Sequence, residues 1–292
     1  MRNEYAFGPW NIDYHIDDGG RLGRISYRGY DLLTTEPAHF SPPATDHGQY
    51  ERRPVFGYDD CFPSVGACYY PGTRLYIPDH GELCWLKWDV QPGPNSLAFS
   101  VHSDILPLTF RRRMEFTDTS ITWVFEVVNE GKSVHPFQHS MHPLLNVDEM
   151  ALIKVPAFQS AYDWRRRQRM KEMNPDKVCE LLLACPKGST EMLFLRGVEE
   201  GKISWAYVNN IRVQMTFPVE YFPTIGIWWN NTGYPDEQGI RRCECAFEPT
   251  AGFTSILSEA HANGNCLSVE GGKSFHWQIR WEIDSREAIR PK

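Results

Sequence analysis

Two histidines and a glutamate, His80, His142 and Glu248, each stand beside a residue that interrupts regular structure, where a side chain can face a cleft rather than a core. His80 lies between Asp79 and Gly81, at a turn expected to enter an apolar strand. His142 precedes Pro143 in the run Phe137-Gln-His139-Ser-Met-His142-Pro143-Leu-Leu-Asn146, and Glu248 precedes Pro249 in Cys243-Glu-Cys245-Ala-Phe-Glu248-Pro249. A residue before proline is biased to extended backbone, as at a strand end. Imidazole titrates near neutrality and a partly desolvated carboxylate is tuned upward, so a histidine with a glutamate supplies a general acid and a general base at neutral pH. Taken singly, each of these side chains is more often a surface or structural residue than a catalyst; their combination carries the reading. His139 and His142 are three apart and face opposite sides of a strand, which argues against a two-histidine metal grip. Cys243-Glu-Cys245 lacks the gap of a zinc knuckle, so no metal is expected.

Composition narrows the class. The chain has 292 residues, 37 acidic against 30 basic, and a formal net charge of -7, which argues against a nucleic-acid partner. Hydrophobic residues make up 41%, with 10 Trp, 13 Tyr and 16 Phe, enough for a sizeable core. No run approaches the roughly 20 apolar residues of a bilayer-spanning helix, and the first ten residues lack the apolar region of a secretory signal. A cytoplasmic protein with its eight cysteines as reduced thiols is expected, without a membrane partner.

The elements that must position these side chains read as strands. Leu108, Phe110, Arg112, Met114 and Phe116 alternate with Thr109, Arg111, Arg113 and Glu115; Ile121, Trp123, Phe125 and Val127 alternate with Thr122, Val124, Glu126 and Val128. A turn at Thr117 to Ser120 joins them, and a third strand of an antiparallel meander is expected around Ser133 to Met141. Near the C-terminus, Phe275, Trp277, Ile279, Trp281 and Ile283 alternate with polar residues in a long half-buried strand. Shorter strands fit Leu97 to His102, Ile203 to Val208, Ile211 to Phe217, Gly226 to Asn230 and Arg242 to Phe247. Helices fit only Lys177 to Ala184 and Thr254 to Ala262, so the pattern predicts an all-β protein, a large antiparallel β-sandwich spanning residues 1–292 as a single domain. Ser160 to Thr190, with Arg165, Arg166, Arg167, Arg169 and Lys171, reads as an inserted loop with a short helix. Such a basic run is usually a solvated face; its functional alternative is an anion clamp for sulfonate, carboxylate or phosphate.

The ordered set Asp79-His80-Gly81 with Trp85, His142-Pro143-Leu-Leu-Asn146, Trp229-Asn230 and Phe247-Glu248-Pro249 resembles the aldose 1-epimerases, or galactose mutarotase-like proteins. The likeness runs from about Gly57 to the end. It implies a β-supersandwich that interconverts the α and β anomers of a free aldose, or of an anionic sugar such as sulfoquinovose, without cofactor or metal, as a monomer or homodimer acting on a monosaccharide. It implies Glu248 as the base at the anomeric hydroxyl, His142 as the acid at the ring oxygen and His80 as a substrate-binding histidine, with Trp229 as a stacking face and Asn230 as a site-shaping amide. Glu248 ionised and His142 protonated, each favoured by the other, would give a bell-shaped pH dependence.

Two departures bear on the substrate. Glu82, Leu83 and Cys84 follow His80-Gly81 where phosphosugar members carry Phe and Arg, and Leu144 follows the His-Pro pair where many galactose mutarotases carry an aromatic residue. Asp59, Asp60 and Arg74 are candidates for binding sugar hydroxyls, on polarity and position alone; turn and surface roles are equally open to them. The rival readings are a non-catalytic carbohydrate-binding or sensor protein of the same fold, and a glycosidase using two carboxylates such as Glu248 and Asp60, which leaves the histidines without a role.

Overall fold

From Leu108 to Phe116 every second side chain enters the core: Leu108, Phe110, Arg112, Met114 and Phe116 are buried while Arg111 and Arg113 are exposed. That alternation is what a strand half covered by a second layer requires. The computed structural model describes residues 2–36, 50, 53, 55–234 and 242–284. Within them Leu108–Phe116 is one member of an eight-stranded antiparallel sheet in the order Met150–Lys154, Lys202–Tyr207, Arg212–Thr216, Ser274–Asp284, Ser120–Asn129, Leu108–Phe116, Ser96–His102, Asp89–Pro92. Register places Phe125 opposite Trp277 and Trp123 opposite Ile279, so the inward face is a continuous aromatic and aliphatic surface. Burying each such side chain contributes about 1.5–3 kcal/mol.

Two six-stranded sheets pack with it. The first contains Arg2–Phe7, Trp10–His15, Arg21–Tyr27, Tyr58–Cys61 and Ser140–Pro143, with Tyr30–Asp31 pairing Arg21–Tyr27. The second runs Leu145–Asn146, Cys243–Thr250, Thr224–Asn231, Ser189–Val198, Phe158–Asp163, Gln168–Met170. Two short α-helices, Pro175–Leu183 and Leu257–Ala262, lie among the described residues. No helix among them is long and apolar enough to cross a membrane. The all-β antiparallel architecture agrees with the alternation in the sequence.

Three local expectations change. The expected third strand of the meander splits into His135–Phe137 and Ser140–Pro143, neither of which pairs with Ser120–Asn129; the neighbour of that strand is Ser274–Asp284 instead. Pro136 and Pro143 withhold backbone donors here, which suits short strands but not a long central one. The basic stretch after Ser160 is no plain loop, since it opens as a β-hairpin with Ala161 opposite Met170 and Asp163 opposite Gln168. After Gly81 the chain makes a 3-10 turn at Leu83–Trp85 rather than entering a strand.

Candidate active site

Strand register decides which acidic side chains meet His142. Ser140–Pro143 runs antiparallel to Tyr58–Cys61, with His142 opposite Asp59 and Met141 opposite Asp60. Adjacent residues of a strand face opposite ways, so Asp59 shares the side of His142 and Asp60 is turned away. Asp60 is buried in the core against Arg112, Tyr58 and His139, whose Nε2 is 2.9 Å from Oδ1. Burial works against its charge, but the Arg112 guanidinium and His139 prevail and hold its carboxyl below the usual range.

Asp59 instead supports a chain of polar contacts ending at the cavity. The Tyr50 hydroxyl donates to Asp59 Oδ2 at 3.0 Å and lies 3.2 Å from His142 Nδ1. The other ring nitrogen of His142, Nε2, is 3.5 Å from Glu248 Oε1. Arg21 and Arg53 approach Asp59 at 3.3 and 3.4 Å, and both are also bound by Asp18 at 2.7 Å. Glu248 reaches the cavity from Cys243–Thr250, opposite Gly226 on the neighbouring strand. A Cβ at Gly226 would stand 3.2 Å from Glu248 Oε2, so the glycine leaves the carboxylate its room.

His80 comes from a constrained loop. Its own φ is 62° and that of Gly81 is 73°, and a Cβ at Gly81 would collide with the Phe62 carbonyl oxygen at 1.9 Å. Only glycine tolerates that approach. The His80 and Glu82 amides donate to the Val65 and Phe62 carbonyls at 2.7 and 3.0 Å, which fixes the loop. Nδ1 of His80 is 2.8 Å from Asp79 Oδ2, its ring stacks on Tyr50 at 3.6 Å, and it meets His142 edge to face at 4.9 Å.

The electrostatics separate the two histidines. Burial alone would keep His80 neutral, but the Asp79 carboxylate, with Glu248 and Asp59 farther off, overcomes it and raises its pKa. Burial, with the charges of His80, Arg242, Arg21 and Arg53, pushes His142 well below the ordinary imidazole range. Burial also raises Glu248 to about 7, with His80 pulling the other way. The expected support of Glu248 and His142 for each other's charged form is therefore outweighed by desolvation, and of the two histidines His80 is the one whose surroundings favour the imidazolium.

These groups line a cavity of about 430 Å³ together with Tyr50, Trp164, Arg165, Met192, Trp228, Tyr234 and Arg242, a volume within the roughly 300–1,000 Å³ usual for small-molecule sites. Of the residues singled out in the sequence, His80, His142 and Glu248 line it. Asp59 stands behind it through Tyr50, and Asp60 lies in the core. Arg74 is exposed on the turn before Tyr76. Trp229 is only 2% exposed and faces the core, while its neighbour Trp228 faces the cavity. Asn230 is buried beneath the site, donating to Glu244 at 3.0 Å and accepting from the Gly233 and Tyr234 amides at 2.9 and 3.0 Å, so it shapes the turn that carries Tyr234. Among the described residues no cluster of side chains has the makings of a metal site.

No protein-family model matches the chain, and no curated protein matches its sequence. Its structure does match solved ones. A galactose mutarotase related enzyme from Lactobacillus acidophilus superposes with a TM-score of 0.70 over 98% of this chain and 98% of that one, at 15% identity. A galactose mutarotase-like protein from Lactobacillus casei gives 0.68 over 97% and 100%, at 15% identity. This is the galactose mutarotase-like fold. An aldose epimerase homologue from C. elegans shares it at 0.66, over 97% and 98% of the two chains and 14% identity.

Within the galactose mutarotase-like fold, sequence reasoning missed Tyr50, Asp18, Arg21, Arg53, Trp228 and Arg242. The first four belong to the N-terminal stretch, where no local spacing marks them; only the pairing of Tyr58–Cys61 with Ser140–Pro143 brings Asp59, the partner of Tyr50, Arg21 and Arg53, against His142. For Trp228 the signal is period two, counted from Glu248 through its cross-strand partner Gly226. Arg165 was legible as part of a basic run, and the structure puts it on the cavity while Arg166 pairs with Asp163 and Arg167 lies over Trp164.

Proposed function

We propose that this cavity interconverts the α and β anomers of an aldose by acid and base catalysed opening and closing of its ring. One observation carries the reading: a buried histidine and a buried glutamate 3.5 Å apart, flanked by a carboxylate-backed second histidine, in a cavity of sugar size. His142 and Glu248 behave as a pair that holds one proton between them near neutral pH, because burial depresses the base and raises the acid. In the empty cavity below about pH 7 that proton resides on Glu248.

As sugar enters, Glu248 passes its proton to His142 Nε2, and the His80 imidazolium favours the resulting carboxylate. Glu248 then takes the proton of the anomeric hydroxyl while His142 gives its proton to the ring oxygen. The bond from C1 to that oxygen breaks, leaving an open-chain aldehyde. Rotation about C1–C2 and closure on the other face return both protons by the reverse transfers. His80 donates to the oxygen on which charge develops, and Trp228 offers an aromatic floor to the apolar face of the ring. No residue is altered after a turnover.

Anomer exchange on glucose and galactose, followed by magnetisation-transfer NMR, tests the proposal. Wild type is expected to accelerate exchange and Glu248→Gln to lose about 10²-fold or more of the acceleration. Equal rates in the two would reject the mechanism, and binding without any acceleration would point to a carbohydrate-binding protein of this fold.

A further inference from the structure

Two arginines line the cavity that holds the reacting pair. Arg165 sits in the hairpin between Phe158–Asp163 and Gln168–Met170 and spends one donor on the Thr190 carbonyl at 3.2 Å. Arg242 precedes Cys243–Thr250 and is 12% exposed in its side chain. Its Nε is 3.7 Å from Glu244 Oε1 and makes no hydrogen bond among the described residues. Arg21 and Arg53, the other arginines bearing on His142, are each held by Asp18 and Asp59. Among the described residues Arg165 and Arg242 have no comparable pair of carboxylates.

The cavity is thus cationic in a chain of net charge -7. Its two lining carboxylates are already committed, Asp79 to His80 and Glu248 to the proton it shares with His142. Position along the strand orders the groups. Arg242, Glu244, Ala246 and Glu248 fall on one face by alternation, and Trp228 is the cross-strand partner of Ala246, between the arginine and the catalytic glutamate and nearer to the glutamate. Six residues of strand span about 20 Å, a distance that the long arginine side chain shortens. A sugar lying over Trp228 with its anomeric carbon at Glu248 points its other end towards Arg242.

We infer that Arg165 and Arg242 form an anion subsite, so that the substrate is an aldose bearing a phosphate or carboxylate at the end remote from C1. The inference rests on the anomer-exchange reading for the placement of C1. Guanidinium forks match the oxygens of both groups, and Arg242 would exchange its long contact with Glu244 for a charge-assisted hydrogen bond.

The experiment compares glucose, glucose 6-phosphate and glucuronate in anomer exchange and in direct binding, with wild type, Arg242→Gln and Arg165→Gln. Expected are a kcat/KM at least about tenfold higher for an anionic sugar than for glucose, a KM for that sugar that rises with salt, and an anionic-to-neutral ratio that falls about tenfold in Arg242→Gln. The two anionic arms distinguish a phosphate from a carboxylate site. Glucose turned over as well as both anionic sugars, or a ratio unmoved by Arg242→Gln and Arg165→Gln, would overturn the subsite and leave the epimerase reading standing. Arginine-dependent binding of an anionic sugar without exchange of any sugar would keep the subsite and reject the epimerase. Neither binding nor exchange would reject both.

Discussion

Tyr50 sets the tautomer of His142. Its hydroxyl has one proton and donates it to Asp59 Oδ2 at 3.0 Å, so the His142 nitrogen 3.2 Å away must be the donor of that contact, Nδ1–H to the phenol oxygen. Nε2 is then left with a lone pair facing Glu248, free to receive the proton that the proposed mechanism passes between them.

Removing the hydroxyl should therefore impair turnover more than binding. Tyr50→Phe is expected to lower kcat about tenfold while changing KM by less than about threefold, and to move the ¹⁵N shifts of His142 away from the Nδ1–H pattern. A variant with wild-type kcat and unchanged ¹⁵N shifts would remove Tyr50 from the account.

Asp79 acts on His80 in a separate way. With the carboxylate present the imidazole titrates above its ordinary value; without it, burial is opposed only by the weaker pull of Glu248 and Asp59. In Asp79→Asn the His80 pKa read by NMR is expected below 6.5, and anomer exchange at pH 7 should slow because the site has lost its imidazolium. A pKa still above 6.5 in that variant would contradict the assignment.

The raised pKa of Glu248 also has a cost in stability. An unfolded glutamate loses its proton near 4.5, whereas the folded one retains it to about 7. The native state therefore binds more protons across that window, and stability falls as pH rises from 4.5 through 7. Above pH 7 the full deficit is about 3 kcal/mol. Glu248→Gln, which carries no charge at any pH, should be more stable than wild type at pH 8 by up to that amount and near wild type at pH 4, as measured by urea unfolding. A stability difference independent of pH would show that Glu248 titrates normally.

Trp228 and Trp229 separate binding from packing. Trp228 faces the cavity, so Trp228→Ala is expected to raise KM about tenfold with little loss of stability. Trp229 is buried among core side chains, and Trp229→Ala is expected to cost about 3–5 kcal/mol with KM unchanged in the folded fraction. The reverse pattern would mean that the strand presents its other face to sugar.

These tryptophans also show what the sequence can and cannot reveal. Leu108–Phe116 and Ser274–Asp284 are covered on one side only, so polar residues alternate with apolar ones and the strands are plain in the sequence. Thr224–Asn231 is buried on both sides, and with no polar face to count from, the orientation of Trp228 and Trp229 is hidden. His80, His142 and Glu248 were legible because glycine and proline mark the ends at which they sit. Asp59 and Asp60 differ only in a register set by Ser140–Pro143, far along the chain, and local spacing carries no trace of it. Tyr50, Arg21 and Arg53 depend on the same long-range pairing.

The most direct test is a double-mutant cycle on anomer exchange by magnetisation-transfer NMR, with Glu248→Gln, His142→Asn and both together. Two groups that hand one proton back and forth act as a unit, so each single variant should lose nearly as much acceleration as the double, about 10²-fold or more. Losses that multiply in the double variant, or a wild type no faster than buffer, would contradict the shared-proton mechanism.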